Sequence, residues 1–159
     1  MIRFNSNCGF FFFLLFFFNC NDSSLDREKN ILVINQKLLS GESYIFNNFR
    51  LNTPKDWILV NPKDSINSAF MSPIDSSILL VNVTQKFDSS NFPQSRYAEF
   101  SNNGIDFEQN VFQNSVAIVF DIKVRKDNDS LSLYFAVPTK RMNDNLFKIE
   151  SSLGSIRLK

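Results

Sequence analysis

The stretch Val116-Ala-Ile-Val-Phe120-Asp-Ile-Lys-Val-Arg125-Lys-Asp-Asn-Asp-Ser130-Leu-Ser-Leu-Tyr-Phe135-Ala-Val137 decides the fold class. Val116, Ile118, Phe120, Ile122 and Val124 alternate with Ala117, Val119, Asp121, Lys123 and Arg125, the period-two pattern of a half-buried strand. After Lys126-Asp-Asn-Asp129, the apolar positions resume at Leu131, Leu133, Phe135 and Val137. The two runs predict an antiparallel hairpin. Its face with Ile118, Phe120 and Ile122 is expected to pack under a helix, with Lys123 on the wet face.

Working outward, Tyr44-Ile-Phe46 and Phe49-Arg-Leu-Asn-Thr53 alternate on either side of Asn47-Asn48 and predict a second hairpin. Trp57–Val60, Ser68–Met71 and Ile78–Val83 read as further strands, set off by Pro54, Asn61-Pro62 and a turn at Pro73–Ser76. Ile31–Ile34 is assigned to a strand on its β-branching. Two segments read as helices. From Pro93 to Gly104, the proline suits the first helical position, Tyr97 and Phe100 share a face, and Gly104 suits the position just past the end. Near the C-terminus, Asp144 can cap a helix in which Leu146, Ile149, Leu153 and Ile156 recur at helical spacing. Gly154 is expected to weaken its last turn by ~1 kcal/mol. Strands interrupted by two helices, without regular alternation, predict an α+β domain whose antiparallel sheet is covered by helices.

Phe49-Arg-Leu-Asn-Thr-Pro54-Lys-Asp-Trp57 resembles the Phe-x-x-x-x-Pro-x-x-Trp opening of PsbP/Mog-like domains. Ile149-Glu-Ser-Ser-Leu-Gly-Ser-Ile156 is similar to the end of their closing helix. The resemblance runs from about Tyr44 to Lys159. It implies an α/β/α sandwich, a protein that binds or stabilises another protein, and no enzymatic activity or cofactor. Photosynthetic members carry His-containing metal positions, which do not transfer here.

Composition narrows the function further. With 17 Lys plus Arg against 16 Asp plus Glu, no basic footprint for nucleic acid exists. The chain has no His, so every triad or zinc motif that depends on imidazole, and the usual neutral-pH general base, are excluded. Of the 19 Phe in its 159 residues, eight lie within the first 20. There, Arg3 is followed by the unbroken apolar run Phe10–Phe18 and then Asn19-Cys20. Nine helical residues span only ~14 Å against a ~30 Å hydrocarbon core, so the run reads as an export signal and not a membrane-spanning helix. Leu15-Phe-Phe-Phe-Asn19-Cys20 resembles the lipobox of bacterial lipoproteins, with Asn19 in place of the usual small residue. That resemblance implies a signal peptide over 1–19, diacylated Cys20 as lipid-attachment site and mature N-terminus, and a polar tether to residue 30. Residues 31–159 then form one domain.

Other residues invite chemistry that the sequence gives little reason to grant. Asp106 and Glu108 sit two apart, on one face if the segment is a strand, like the carboxylates of a glycosidase, but read as a solvated edge. Asp127-Asn-Asp-Ser130 has part of a calcium loop and lacks its Gly and distal Glu. Trp57 can line an aromatic site or fill the core, and the core is expected for it as for Tyr44, Tyr97 and Tyr134. Lys123, Arg125 and Lys126 read as a solvated hairpin tip. Asp64-Ser65-Ile66 and Asp129-Ser130-Leu131 resemble acceptor sites of bacterial O-glycosylation. The expected protein is therefore a lipid-anchored module of the bacterial cell envelope, with a protein partner and without catalytic residues. A small envelope hydrolase and an immunity or inhibitor lipoprotein are the alternatives.

Overall fold

The computed structural model describes residues 32–60, 67–82 and 88–159. In chain order they form β1 (Leu39–Phe46), β2 (Phe49–Pro54), β3 (Ile58–Leu59), β4 (Ser68–Met71), β5 (Ile78–Val81), β6 (Gln94–Asn102), β7 (Ile105–Gln113), β8 (Ala117–Lys126), β9 (Asp129–Pro138), α1 (Met142–Gly154) and β10 (Arg157–Leu158). All strand pairs are antiparallel. One sheet runs β1-β2-β10 and the other β3-β4-β5-β9-β8-β7-β6. The predicted head, Cys20 and the tether lie outside the described residues.

The helix-covered α/β/α arrangement is overturned. Among the described residues α1 is the one α-helix, and the fold is two antiparallel sheets with that helix beside the smaller. One apolar cluster joins Phe46, Phe49 and Leu51 of the small sheet, Ile149 and Leu153 of α1 with Ile156 just beyond it, and one face of the large sheet. Ile118, Phe120, Ile122 and Val124 are buried on that face and Lys123 is exposed, as the alternation predicts. Their cover is the small sheet together with α1. Val119 breaks the alternation by being buried on the opposite face, between Phe112 and Ala136 of the neighbouring strands.

The predicted helix over 93–104 is instead strand β6 and the turn that follows it. Asn103 and Gly104 both have positive φ, 53° and 72°, as a two-residue hairpin turn of the primed type demands. What resembled a helix C-cap is the reversal into β7. Ile31–Ile34 is not a strand either: Leu32–Asn35 carry no regular structure, and residue 31 is outside the described set. This segment docks on the helix end, where Ser151 Oγ accepts from Asn35 N–H at 3.0 Å.

The serines at the end of α1 complete the backbone of β2. Ser152 Oγ donates to Asn52 O at 2.7 Å, and Ser155 Oγ accepts from Asn52 N–H at 3.0 Å. These bonds serve β2 where β10, which reaches only Arg50 and Phe49, no longer pairs with it. Hence Ser151 and Ser152 are fully buried yet satisfied. Asp144 does not cap the helix. Arg141 holds the N-cap position, and Asp144 sits in the first turn, where Arg141 Nη1 meets it at 3.2 Å.

Candidate functional site

One concavity lies where the small sheet and α1 leave part of the large sheet's inner face open. It holds about 370 Å³, within the size range of small-molecule pockets. Two cross-strand rows make its floor. In one, Arg96, Val111 and Phe120 stand side by side on β6, β7 and β8; in the other, Gln94, Gln113 and Ile118 do so. Thr139 and Met142, at the approach to α1, close one end. Val111 and Met142 pack against the core while keeping part of their surface open. The apolar floor is thus edged by two amides and one guanidinium. Arg96 forms no ion pair among the described residues. Leu146, one helical turn beyond Met142, and Phe147 are exposed, which continues the apolar surface along α1.

A smaller hollow of about 170 Å³ lies near the other end of the same three strands and contains the predicted carboxylate pair. Both carboxylates are already engaged. Ser101 Oγ donates to Asp106, and Arg125 Nη1 meets Glu108 Oε1 at 2.6 Å. Tyr97 donates to Glu99. The hydrogen bond to Glu99 is the main cause that pushes the Tyr97 hydroxyl up to about 12. Tyr97 does not enter the core as expected: it is exposed, because β6 is the last strand of its sheet.

The remaining predicted positions serve the fold. Trp57 is buried with its ring edge-on to Phe135 at 6.2 Å. Tyr44 packs edge-on to Phe70 at 4.7 Å. Tyr134 is half-buried on the outer face, where burial and then Asp121 raise its hydroxyl to about 12. Asp129 belongs to a clasp and not to a calcium loop: Asn48 Nδ2 donates to Asp129 Oδ1 at 2.8 Å and Asn47 Nδ2 to Ser130 O at 3.0 Å, joining the β1–β2 turn to the β8–β9 turn. Ser130 is exposed on β9, while Asp64–Ile66 lie outside the described residues, as does Cys20. Among the described residues no three Asp, Glu or Cys side chains gather as a metal site, and no helix is long and apolar enough to cross a membrane.

Neither a scan of protein-family models nor a search of curated proteins finds a match to the chain. The cleft residues Gln94, Arg96 and Gln113 were absent from the sequence-based candidates, because the helical reading of 93–104 scatters Gln94 and Arg96 over different faces. The signal that finds them is Asn103-Gly104, a hairpin dipeptide flanked by strands of equal length.

Proposed function

We propose that this protein is a lipid-anchored, non-catalytic binding module of the bacterial cell envelope that receives an apolar side chain of a partner protein in the cleft between β6–β8 and α1. The observation that carries this reading is the floor of Val111, Ile118 and Phe120 edged by Gln94, Gln113 and Arg96. Such a surface favours an apolar group whose neighbouring carbonyls or carboxylate accept hydrogen bonds from the amides and the guanidinium. Among the described residues the carboxyl most displaced from its usual range, that of Asp75, lies outside the cleft and is driven down and not up, which is unlike a general acid. Anchoring rests on Cys20, since two acyl chains hold a protein to a bilayer where one is marginal.

The test is binding of the apolar probe 1-N-phenylnaphthylamine to the full chain in its folded state. Val111→Asp places a hydrated carboxylate beside Arg96 on the cleft floor and is expected to weaken the probe by about tenfold, or ~1.4 kcal/mol, because apolar contact surface is replaced by an ion pair that the probe would have to desolvate. Lys123→Ala, on the opposite face, is expected to leave probe binding unchanged. Equal probe affinity in wild type and Val111→Asp rejects the cleft as a binding site. In cells, Cys20→Ser is expected to abolish fatty-acid labelling and release the protein from membranes; continued labelling rejects the anchor.

A further inference from the structure

The two edges of the large sheet are unlike. One ends in β3, two residues long, and the other in β6, nine residues long. Short edges discourage pairing with another chain, whereas a long regular edge is a template for it. β6 has no proline within it, its register with β7 runs unbroken from Asn102↔Ile105 to Gln94↔Gln113, and most of its residues are exposed. Because Asn103-Gly104 forms a two-residue turn, Asn102 and Ile105 are a hydrogen-bonded pair. The alternation then turns the backbone N–H and C=O groups of Phe100, Ala98, Arg96 and Gln94 toward β7. Those of Ser95, Tyr97, Glu99 and Ser101 point out from the open edge.

We infer that β6 pairs antiparallel with β6 of a second copy of this chain about a two-fold axis at Ala98. This register alone matches all four outward residues of one strand to all four of the other: Ser95 to Ser101 and Tyr97 to Glu99, each twice. Moving the axis to Glu99 sets like charges directly opposite and brings the turn into the ladder; moving it to Tyr97 spends one position on Pro93, which has no N–H. The strand's sequence is self-complementary about Ala98. Gln94 faces Asn102, Ser95 faces Ser101, Arg96 faces Phe100, Tyr97 faces Glu99, and alanine faces alanine at the axis. Tyr97 and Glu99 already hydrogen-bond within one chain, so their groups suit each other. An isologous contact of this kind closes at two copies and does not propagate. It also sets the partner's Phe100 across from Arg96 at the cleft wall, a cation–π arrangement.

The test is oxidative crosslinking of the full chain in detergent, with the bond mapped by mass spectrometry. Ala98 faces its own copy as a close, non-hydrogen-bonded pair, so Ala98→Cys is expected to give a disulfide-linked dimer through position 98. Arg96→Cys alone is expected not to link through position 96, and the Arg96→Cys/Phe100→Cys double variant is expected to link 96 to 100. Tyr97→Pro removes an N–H from the open edge and none from the β6–β7 ladder, so it is expected to convert dimer to monomer with the melting transition of the single chain retained. A wild-type chain that sediments as a monomer at the concentrations used for crosslinking overturns the proposal. So does a homodisulfide at position 96, 97 or 99 as abundant as that at 98. Should Tyr97→Pro not fold, the crosslinking pattern alone decides.

Discussion

Gly154 shows how far one residue's meaning depends on its neighbours. By propensity, alanine is better than glycine in a helix by ~1 kcal/mol. In the folded chain, however, a Cβ at position 154 would stand 2.7 Å from Ile34 Cγ1 and 3.3 Å from Leu32 Cβ. The glycine is the surface on which the segment before β1 rests, and overpacking such a contact costs ~1 to 3 kcal/mol. Gly154→Ala is therefore expected to lower the urea midpoint although it improves helix propensity. Ile34→Ala in the same background is expected to recover part of the loss, because it removes the atom that clashes. A more stable Gly154→Ala protein would show that the segment does not press on the helix. The sequence contains both glycine and isoleucine, but nothing local says that they meet across 120 positions.

At the scale of elements, legibility follows burial. β8 and β9 each bury one face in the core, so selection for apolar side chains at every second position writes the strand into the sequence. The β1–β2 hairpin and β4 are legible for the same reason, including the Asn47-Asn48 turn, where Asn47 takes φ of 53°. β6 buries little, so Gln94–Asn102 has no alternation to read, and the spacing of Tyr97 and Phe100 happens to fit a helix. The cleft inherits that opacity: its residues come from four places in the chain and make no local motif. The β8 assignment is tested by a contrast between its faces. Phe120 is 5% exposed on the core side, and Phe120→Ala is expected to cost ~3 kcal/mol, the lower part of the range for such truncations because the cleft beside it already opens one flank. Lys123→Ala should cost less than ~0.5 kcal/mol. Urea melts of both variants check this, and comparable losses would mean that the two faces have been exchanged.

At the scale of the whole molecule, the question is what fastens the large sheet to the helix beside the small one. Apolar packing there is joined by a polar junction between the β4–β5 turn and α1, separate from the Asn48–Asp129 clasp between the sheets. Asp75, in the turn between β4 and β5, accepts from Asn145 Nδ2 at 2.7 Å and from Ser77 N–H at 3.1 Å, and Arg141 Nε lies 4.0 Å away. Asn145 is fully buried on α1 and also donates to Arg141 O at 3.0 Å. Burial by itself pushes the Asp75 carboxyl upward, yet the hydrogen bonds from Asn145, Ser72 and Ser77 outweigh it and hold the group down at about 2, against an ordinary 3.8. A carboxyl whose pKa is lower folded than unfolded stabilises the fold above its unfolded value, and that contribution disappears as pH falls through the folded value. The shift corresponds to roughly 2 kcal/mol, present in full above about pH 5, mostly lost by about pH 2 and gone near pH 1. Asp75→Asn keeps the shape and removes the titration. The difference in unfolding free energy between wild type and Asp75→Asn is thus expected to shrink by roughly 2 kcal/mol between pH 6 and pH 2, read from urea melts at each pH. A difference that stays constant over that range would mean that the carboxylate's charge is not what joins the turn to the helix.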